Sequence, residues 1–410
     1  MVVSQNAYFP SYDGLYWETS TPAEHQYCPT KIHDLFDYLE EKNTKSFILL
    51  IDGKIVIEKY FDNFSKKSSH EWGDAGAPLI AYLMGVAENK NLLSLEDEVL
   101  PYINQKKIKF QAEDYLKTLK IKHLLSMTSG IKKVNDREKE TYLMEAEAGK
   151  EWIYHKENLE LAIHVLEQAS GQSINRFLFD HLRAEIGLSG SFVKRGSSTV
   201  YTGSSRAMAR FGLLLFHQGK WKNKNSALGE SYLQKMLSPS QTLNPSYGFF
   251  SWLSNEEGYK SPINSNLNQG YFNPNAPQDL IAGFGANGQM INIAPSKKIV
   301  WACFTEDLKN QPYNFSLNNE IWDKINQLSC NKSERAIKKM SGDAKDYLRL
   351  TSKVPIKRIM VSDENGTIHY AAEINSNELN ISLKQFNKGY YFAKILFVND
   401  VVSTQRFSVQ

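Results

Sequence analysis

A short turn that places an aspartate before a long apolar run has the most chemical content in this sequence. The turn reads Trp72-Gly73-Asp74, and residues 79–87 are almost all apolar. Such a run predicts a buried helix. A carboxylate at the start of a buried helix lies near free backbone N–H groups and the positive end of the helix dipole. Asp74 is therefore the first candidate for a residue that acts on a ligand.

Two interpretations of Asp74 follow from its residue type. Aspartate is among the best N-cap residues, so Asp74 would cap a helix that starts near Ala75. A carboxylate on the floor of a pocket can also act as a general base, as a nucleophile, or as an anchor for a cationic ligand. The residues alone leave these alternatives open.

Composition excludes several classes of function. The chain has 410 residues, of which 41% are hydrophobic and 23% are charged, and its net charge is +3. It has no basic stripe with interleaved aromatic residues, so we expect no nucleic-acid partner. No apolar run approaches the roughly 20 residues that cross a bilayer, so we expect no transmembrane segment.

Cysteine and histidine spacing predicts no metal site and no cofactor. The three cysteines, Cys28, Cys303 and Cys330, are far apart and fit no metal-ligand pattern. One disulfide could form among them, but three thiols is the preferred interpretation.

The order of predicted elements indicates an α+β fold. Residues 46–60 read as a hairpin around Asp52-Gly53. Helices are predicted over residues 159–166 and 205–218, and strands over 247–253, 289–293 and 299–304. Strands at both ends with helices inserted between them favour one sheet closed by terminal strands, together with a helical subdomain.

The last part of the chain has a different pattern. Residues 331–353 are polar and rich in lysine, which predicts a linker with some helix. From residue 354 to 410 the apolar residues alternate with a period of two, and turn residues separate five short runs. This pattern predicts a small all-β sandwich after a first domain of residues 1–330.

Five segments in order resemble the serine β-lactamase and penicillin-binding protein family, on its class C and esterase side. They are IKHLLSMTSG (121–130), GKEWIYHK (149–156), RAMARFG (206–212), NPSYG (244–248) and GANGQ (285–289). The resemblance covers about residues 15–325. It implies an antiparallel sheet covered by helices, an all-helical subdomain, and an active site between them.

The resemblance also shows where this sequence departs from the family. The serine and lysine positions of the family's Ser-x-x-Lys motif read Asp74 and Ala77 here. The family's Tyr-x-Asn motif keeps Tyr154 but has Lys156 in place of asparagine. Conventional serine chemistry therefore lacks its first step, and Asp74, Tyr154 and Lys156 become the candidate catalytic residues.

Lys156 has two interpretations. Pointing inward, it would pair with Asp74, restore local neutrality and leave Tyr154 as the acid/base candidate. Pointing outward, it would be an ordinary solvated lysine.

The resemblance further implies the residues that bind a ligand. The backbone N–H groups of residues 74 and 289 would form an oxyanion hole. Aromatic residues would rim the cleft and suit sugar rings or apolar acyl groups. The predicted substrate-binding residues are Trp72, Trp152, Tyr247, Asn287 and Gln289, with Trp252 also at the rim.

Residues 388–395 and 402–407 resemble the C-terminal sorting domain of the type IX secretion route. The resemblance implies export by that secretion machinery to the cell surface or the medium. A generic β-sandwich module is the alternative interpretation.

Three hypotheses for function follow. The first is a pseudoenzyme that binds a small molecule, glycan or peptide-like ligand in the old cleft. The second is an active hydrolase of glycosides, esters or amides that uses Asp74 as base or nucleophile. The third is a serine esterase or amidase that was inactivated by engineered substitution.

Overall fold

The computed structural model describes most of the chain, in two compact units. The described residues are 7–12, 16–104, 108–111, 113–134, 140–222, 224–306, 313, 315–330, 337–341, 347–363, 366–398 and 402–409. The first unit comprises residues 1–19 and 42–320, and the second comprises residues 20–41 and 321–410.

Helices and strands alternate along the first unit, whereas strands dominate the end of the chain. The helices are α1 Pro29–Glu41, α2 Ala77–Asn89, α3 Ile121–Leu125, α4 Glu157–Ser170, α5 Ile174–Leu178, α6 Ala184–Ile186, α7 Ser205–Phe216, α8 Glu230–Met236 and α9 Phe315–Asn326. The strands are β1 Thr44–Ile51, β2 Lys54–Tyr60, β3 Ser69–Glu71, β4 Ile108–Gln111, β5 Ile131–Val134, β6 Glu140–Met144, β7 Ser191–Arg195, β8 Ser198–Ser204, β9 Trp252–Leu253, β10 Tyr259–Ser261, β11 Asn264–Asn268, β12 Ile281–Phe284, β13 Met290–Ala294, β14 Ile299–Thr305, β15 Ile337–Ser341, β16 Tyr347–Asp363, β17 Ile368–Ser382, β18 Gly389–Phe397 and β19 Val402–Val409.

A six-stranded antiparallel sheet forms the centre of the first unit, in the order β2-β1-β14-β13-β12-β9. The predicted hairpin is confirmed as β1 and β2, and Asp52 and Gly53 both have positive φ at its turn. Late strands thus pair with early ones, as expected for a sheet closed by terminal strands. The predicted strand over 247–253 is reduced to β9, because Phe250 has a left-handed backbone (φ 49°) that interrupts extended chain.

Two buried helices cover this sheet. Helix α7 lies close to β14, since a Cβ atom on Gly212 would come within 2.7 Å of the Val300 side chain. Helix α2 follows the Asp74 turn, and eleven of its thirteen residues are buried. A helix that is apolar all round belongs in an interior, which is what the run 79–87 predicts. The expectation of an α+β fold with a helix-covered antiparallel sheet is confirmed.

The end of the chain forms one five-stranded antiparallel sheet, β15–β19, curled into a half-barrel. Its core consists of side chains from residues 348–407, among them Ile359, Val361 and Ile395. The all-β character is confirmed. Residues 337–341 and 347–353, within the predicted linker, are strand rather than helix, because they pair with each other and residues 347–351 also pair with β17.

Two further expectations concern single features. Cys28 and Cys303 are buried and Cys330 is partly buried, and Cys303 is a free thiol. Within the described ranges, no helix has the length and apolarity that a bilayer crossing requires.

Candidate functional site

Asp74 lies in a short 3-10 turn, Gly73–Gly76, that leads directly into α2. Gly73 has a positive φ of 52°, a conformation that glycine adopts without steric cost. The Asp74 side chain makes no capping hydrogen bond to this turn or to α2. The interpretation of Asp74 as a helix cap is therefore wrong, because its carboxylate turns away from the helix end toward two tyrosines.

Two tyrosine hydroxyls hold the Asp74 carboxyl group. Tyr154 donates a hydrogen bond to Oδ2 at 3.3 Å, and Tyr313 donates a short one to the same oxygen. The two tyrosine rings pack edge to face, with their centroids 5.0 Å apart. Among the described residues, Oδ1 of Asp74 has no hydrogen-bond partner. Oδ2 thus accepts both hydrogen bonds, and Oδ1 remains available as an acceptor.

Burial dominates the electrostatics of this cluster. It raises the pKa of Asp74, whereas the hydrogen bonds from Tyr313 and Tyr154 and the charge of Lys156 act in the opposite direction. Burial and the adjacent Asp74 also raise the pKa values of Tyr154 and Tyr313 well above their usual range. Both tyrosines therefore keep their protons and act as donors, which does not favour Tyr154 as a general base.

Tyr313 is a site residue that the sequence did not reveal. It lies 239 positions after Asp74, outside every segment that carries the family resemblance. Its backbone φ is 58°, which is uncommon for a residue with a Cβ atom. No motif or periodicity marked it, so only the tertiary structure brings it to Asp74.

Lys156 does not pair with Asp74. It is exposed and precedes the first residue of α4, and no ion pair within 4.0 Å joins it to Asp74 among the described residues. Both residues do line a small cavity of about 30 Å³, room for one or two water molecules. Lys156 is thus an exposed residue beside this cavity, and both its pairing with Asp74 in a complex and a catalytic role stay predictions.

A second, larger cavity opens beside Asp74, with a volume of about 450 Å³. Most of its side chains are polar. They are Ser69, His70, Glu71, Asp74, Arg195, Thr202, Asn287 and Gln289, together with Gly73 and Ala286. We call this cavity the cleft. Arg195 and Glu71 form an ion pair of 2.5 Å in its wall, so their charges largely cancel.

The loop from Gly285 to Gln289 faces the Asp74 turn across the cleft. The Gly285 N–H donates to the Gln289 carbonyl at 2.8 Å, and the Asn287 N–H donates to the Gln289 side chain at 3.2 Å. A Cβ atom on Gly285 would lie 2.9 Å from the Trp72 carbonyl oxygen, so the loop needs glycine to approach the turn. Asn287 and Gln289 thus lie at the cleft with Asp74, as the resemblance implies.

One of the two backbone N–H groups expected in the oxyanion hole, that of Asp74, is not used by the 3-10 turn. Ala75 donates the first hydrogen bond of the 3-10 turn, to the Trp72 carbonyl. The Asp74 N–H, one residue earlier, has no acceptor within the turn. A role for the N–H groups of residues 74 and 289 stays a prediction.

The aromatic residues expected at the cleft rim lie in the interior. Trp72, Trp152, Tyr247 and Trp252 are at most 2% exposed. The last three pack against one another and against Tyr154, with ring centroids 4.9–6.3 Å apart. Their rings are thus buried rather than at the rim of the cleft, and a ligand-binding role for them stays a prediction. They instead fix the position of the Tyr154 ring.

No metal centre accompanies these residues. Within the described part of the chain, no group of three or more His, Cys, Asp or Glu side chains is placed to hold a metal ion.

Comparison with known proteins agrees with this architecture. The sequence model of the Beta-lactamase family matches residues 36–324, well over half of the chain. A search of curated protein sequences found no significant match.

Solved structures with similar folds include hydrolases and penicillin-binding protein homologues. A Bacillus anthracis protein named as a 6-aminohexanoate-dimer hydrolase superimposes with a TM-score of 0.60 at 16% identity, covering 78% of this chain and 89% of its own. EstCE1, a hydrolase with promiscuous acyltransferase activity, gives 0.53 at 13% identity, with 72% and 97% covered. The octameric penicillin-binding protein homologue from Pyrococcus abyssi gives 0.51 at 14%, with 93% and 96% covered.

At such low identities, these similarities show the fold alone. Together with the family match over residues 36–324, they lead to one conclusion: the chain belongs to the Beta-lactamase family.

Proposed function

We propose that this protein binds a ligand in the cleft beside Asp74 and forms no serine acyl-enzyme. The observation that carries the proposal is the fixed carboxyl group at residue 74, where two tyrosine hydroxyls hold Oδ2. A negative carboxylate at this position would oppose the negative charge that develops on a tetrahedral acyl intermediate. Ala77, one turn later, offers no amine to serve as a base.

The groups around the cleft favour an uncharged, polar ligand. Ser69, Thr202, Asn287 and Gln289 contribute hydroxyl and amide groups. The Oγ1 atom of Thr202 is buried and has no hydrogen-bond partner among the described residues. Because Arg195 and Glu71 neutralise each other, the wall holds few unpaired charges. Hydroxyl and amide groups of a glycan or peptide-like ligand would complement this wall.

A second candidate function is hydrolysis with Asp74 as the base. It rests on Oδ1, which has no partner among the described residues, and on the raised pKa of the buried carboxyl group. A carboxylate with a raised pKa is a stronger base for a water molecule. The two tyrosine donors weaken that basicity, so we rank this function second.

Loss of a serine by engineered substitution is the third candidate. The fit of Asp74 to two separate tyrosines favours a native carboxyl group instead. The double variant Asp74→Ser/Ala77→Lys tests this point. If it hydrolyses nitrocefin or p-nitrophenyl acetate at rates typical of the family, an engineered loss is supported.

Covalent labelling separates the binding proposal from serine catalysis. We expect no labelling of the wild-type protein by a fluorophosphonate probe or by a fluorescent penicillin, read by intact-protein mass spectrometry. Stoichiometric labelling at any serine would overturn the proposal.

Ligand binding is tested by calorimetry with a panel of peptidoglycan fragments, chito-oligosaccharides and short peptides. Asn287→Ala and Asp74→Asn should each weaken binding of a ligand by at least about fivefold, which corresponds to one lost hydrogen bond. The matched control is Asn63→Ala, an exposed asparagine outside the cleft lining. Turnover of any bound glycoside, ester or amide, lost in Asp74→Asn, would favour the hydrolase instead.

For the C-terminal part, we propose that residues 354–410 direct export to the cell surface or the medium. The resemblance to type IX sorting domains supports this proposal. The test is fractionation of a host that carries this secretion route. Full-length protein should reach the medium or outer surface, whereas protein truncated after residue 330, before the first strand of this sheet, should not. Equal distribution of both forms would contradict the sorting role.

A further inference from the structure

The first unit contains another cavity, larger than the cleft, with a volume of about 580 Å³. We call it the distal cavity. Its lining residues are Ala7, Tyr8, Asp52, Lys54, Leu215, Phe216, His217, Gln218, Leu237, Leu253, Asn255, Asp279, Leu280, Ile281, Pro295 and Lys298. This volume lies within the range of sites for small molecules and cofactors.

The distal cavity and the cleft lie at opposite ends of the same strands. Ile281, at the start of β12, lines the distal cavity, whereas Gly285 follows its end at the cleft loop. Four residues of extended strand separate these positions by about 14 Å. Pro295 and Lys298, in the turn between β13 and β14, also belong to the distal end. The two cavities share no lining residue.

Apolar side chains form most of the wall of the distal cavity. Leu215, Leu253 and Leu280 are each about 1% exposed. They come from α7, β9 and the segment before β12, so three separate elements enclose the space. Phe216, Leu237 and Pro295 also line the cavity and are partly exposed, so a ligand with an apolar body would bury its surface against this wall.

The lining of the distal cavity holds two acidic and two basic side chains, so their charges balance. Lys298 pairs with Asp52 at 3.2 Å, and Lys54 pairs with Glu18 at 2.7 Å. Asp279 accepts hydrogen bonds from the backbone N–H and the hydroxyl of Ser296, which are neutral donors. Because both lysines are paired and Asp279 keeps its charge, the lining favours a neutral ligand over an anionic one.

Three uncharged polar side chains complete the wall. Gln218 and Asn255 are exposed, and their side-chain amides make no hydrogen bond to any described residue. His217 is only 6% exposed, and its Nε2 atom has no partner among the described residues. Burial lowers the pKa of His217 to about 4, so this imidazole is neutral near pH 7. Amides and a neutral imidazole are partners for hydroxyl or N–H groups.

We propose that the distal cavity is a second binding site, for a small uncharged molecule that has an apolar body and a hydroxyl or N–H group. The apolar body lies against the leucine side chains, and the polar group contacts the Gln218 or Asn255 amide. The site is independent of the cleft and of any chemistry at Asp74.

A fluorescent probe of this chemical class tests the proposal. N-phenyl-1-naphthylamine is neutral, has two apolar ring systems and carries one N–H donor. Titration of the full-length protein should show saturable binding at one site, with enhanced fluorescence. The anionic analogue 8-anilinonaphthalene-1-sulfonate should bind at least about tenfold more weakly.

Variants locate the probe. Leu237→Trp fills the cavity from a partly buried position, and Asn255→Trp fills it from an exposed position where folding is not at risk. Each should weaken binding of the probe by at least about tenfold. Leu92→Trp, at an exposed leucine that is not part of the lining, is the matched control and should change binding by less than about twofold.

Several results would overturn the proposal. Unchanged binding in Asn255→Trp would place the probe elsewhere, and loss of binding in Asn287→Trp would place it in the cleft. Because these variants leave Asp74 intact, failure here says nothing against ligand binding in the cleft.

Discussion

At the scale of single residues, Asp74 combines a large desolvation cost with two dedicated donors. A buried carboxylate is unfavourable unless it is paired or hydrogen-bonded. Here Tyr154 and Tyr313 supply the hydrogen bonds, and their own raised pKa values keep the donor protons in place. The hydroxyls stabilise the carboxyl group although no ion pair within 4.0 Å reaches it among the described residues, which distinguishes the arrangement from an ordinary salt bridge.

Loss of one tyrosine donor should change both stability and titration of Asp74. We expect Tyr313→Phe to raise the pKa of Asp74 further, since that hydrogen bond lowers it. We also expect it to reduce the free energy of unfolding by about 1–3 kcal/mol, the range for removing a partner of a buried polar group. Carbon-13 NMR titration of the Asp74 carboxyl and chemical denaturation measure the two effects. Tyr259→Phe is the control, because no described hydrogen bond involves its hydroxyl. An unchanged Asp74 titration would contradict the described contact.

The raised pKa of the Asp74 carboxyl group predicts that the stability of the protein depends on pH. Burial raises the folded-state pKa of Asp74 above its ordinary value of 3.8. At pH values between the unfolded-state pKa and the folded-state pKa of Asp74, the folded protein binds more protons than the unfolded protein. The free energy of unfolding therefore falls as pH rises through that window. Asp74→Asn removes this titration but keeps an oxygen for the tyrosines. The variant should therefore gain stability relative to wild type as pH rises from 4 to 7. Denaturant unfolding at both pH values measures it, and a constant difference would contradict the raised pKa.

The sequence revealed only some of these site residues. Asp74 and Tyr154 were found because they lie in segments with a local signature, a helix start and a family motif. Tyr313 has no such signature, since its contact with Asp74 joins residues 239 positions apart in the sequence. The burial of Trp152 was also not foreseen, because a sequence does not show which side of a cleft wall an aromatic ring occupies.

At the scale of elements, helix α2 directly follows the Asp74 turn and therefore helps to position it. Gly85 lies in its middle, facing Tyr232 of α8, and the Tyr232 hydroxyl donates to the Ala81 carbonyl at 2.6 Å. A Cβ atom on Gly85 would come within 2.4 Å of the Tyr232 ring and 2.8 Å of Leu228. The glycine thus permits the close approach of two helices.

Gly85→Ala should consequently destabilise the protein although alanine favours helix. The ring is held by its hydrogen bond and has little room to move, so overpacking of about 1–3 kcal/mol exceeds the roughly 1 kcal/mol gain in helix propensity. Thermal and denaturant unfolding measure the change. Gly229→Ala is the matched control, because its Cβ would meet only one atom, at 3.5 Å. Equal stability of both variants would show that Tyr232 can shift freely.

Local sequence patterns predict those elements whose position depends on neighbouring residues alone. The hairpin around Asp52-Gly53 and the helix from Ser205 are confirmed, since turn residues and helical periodicity fix them locally. The strands at 337–341 and 347–353 are not predicted, because a polar, lysine-rich composition is typical of a linker. These residues form strands because they pair with each other, and that pairing is not visible in the sequence. The pattern after residue 354 predicts only short strands, whereas Ile368–Ser382 forms one long strand, β17.

At the scale of the whole molecule, the C-terminal sheet has a core of its own. Its buried apolar side chains all come from residues 348–407. Ile359 is central, since β16 pairs with both β17 and β18 at this position. The packing that stabilises this sheet is therefore separate in sequence from the packing around α2 and Asp74.

This separation predicts where the effect of a core substitution will appear. Ile359→Ala, at a fully buried residue, should reduce the stability of the sheet by about 2–5 kcal/mol. Hydrogen exchange should then accelerate in peptides from residues 347–409, whereas exchange in α2 and binding in the cleft should stay at wild-type values. Ile368→Ala is the matched control, because Ile368 is 56% exposed and its truncation leaves no cavity. Equal acceleration of exchange in α2 would instead mean that both units unfold as one cooperative body, since the loss of packing at Ile359 would then be transmitted to the Asp74 turn.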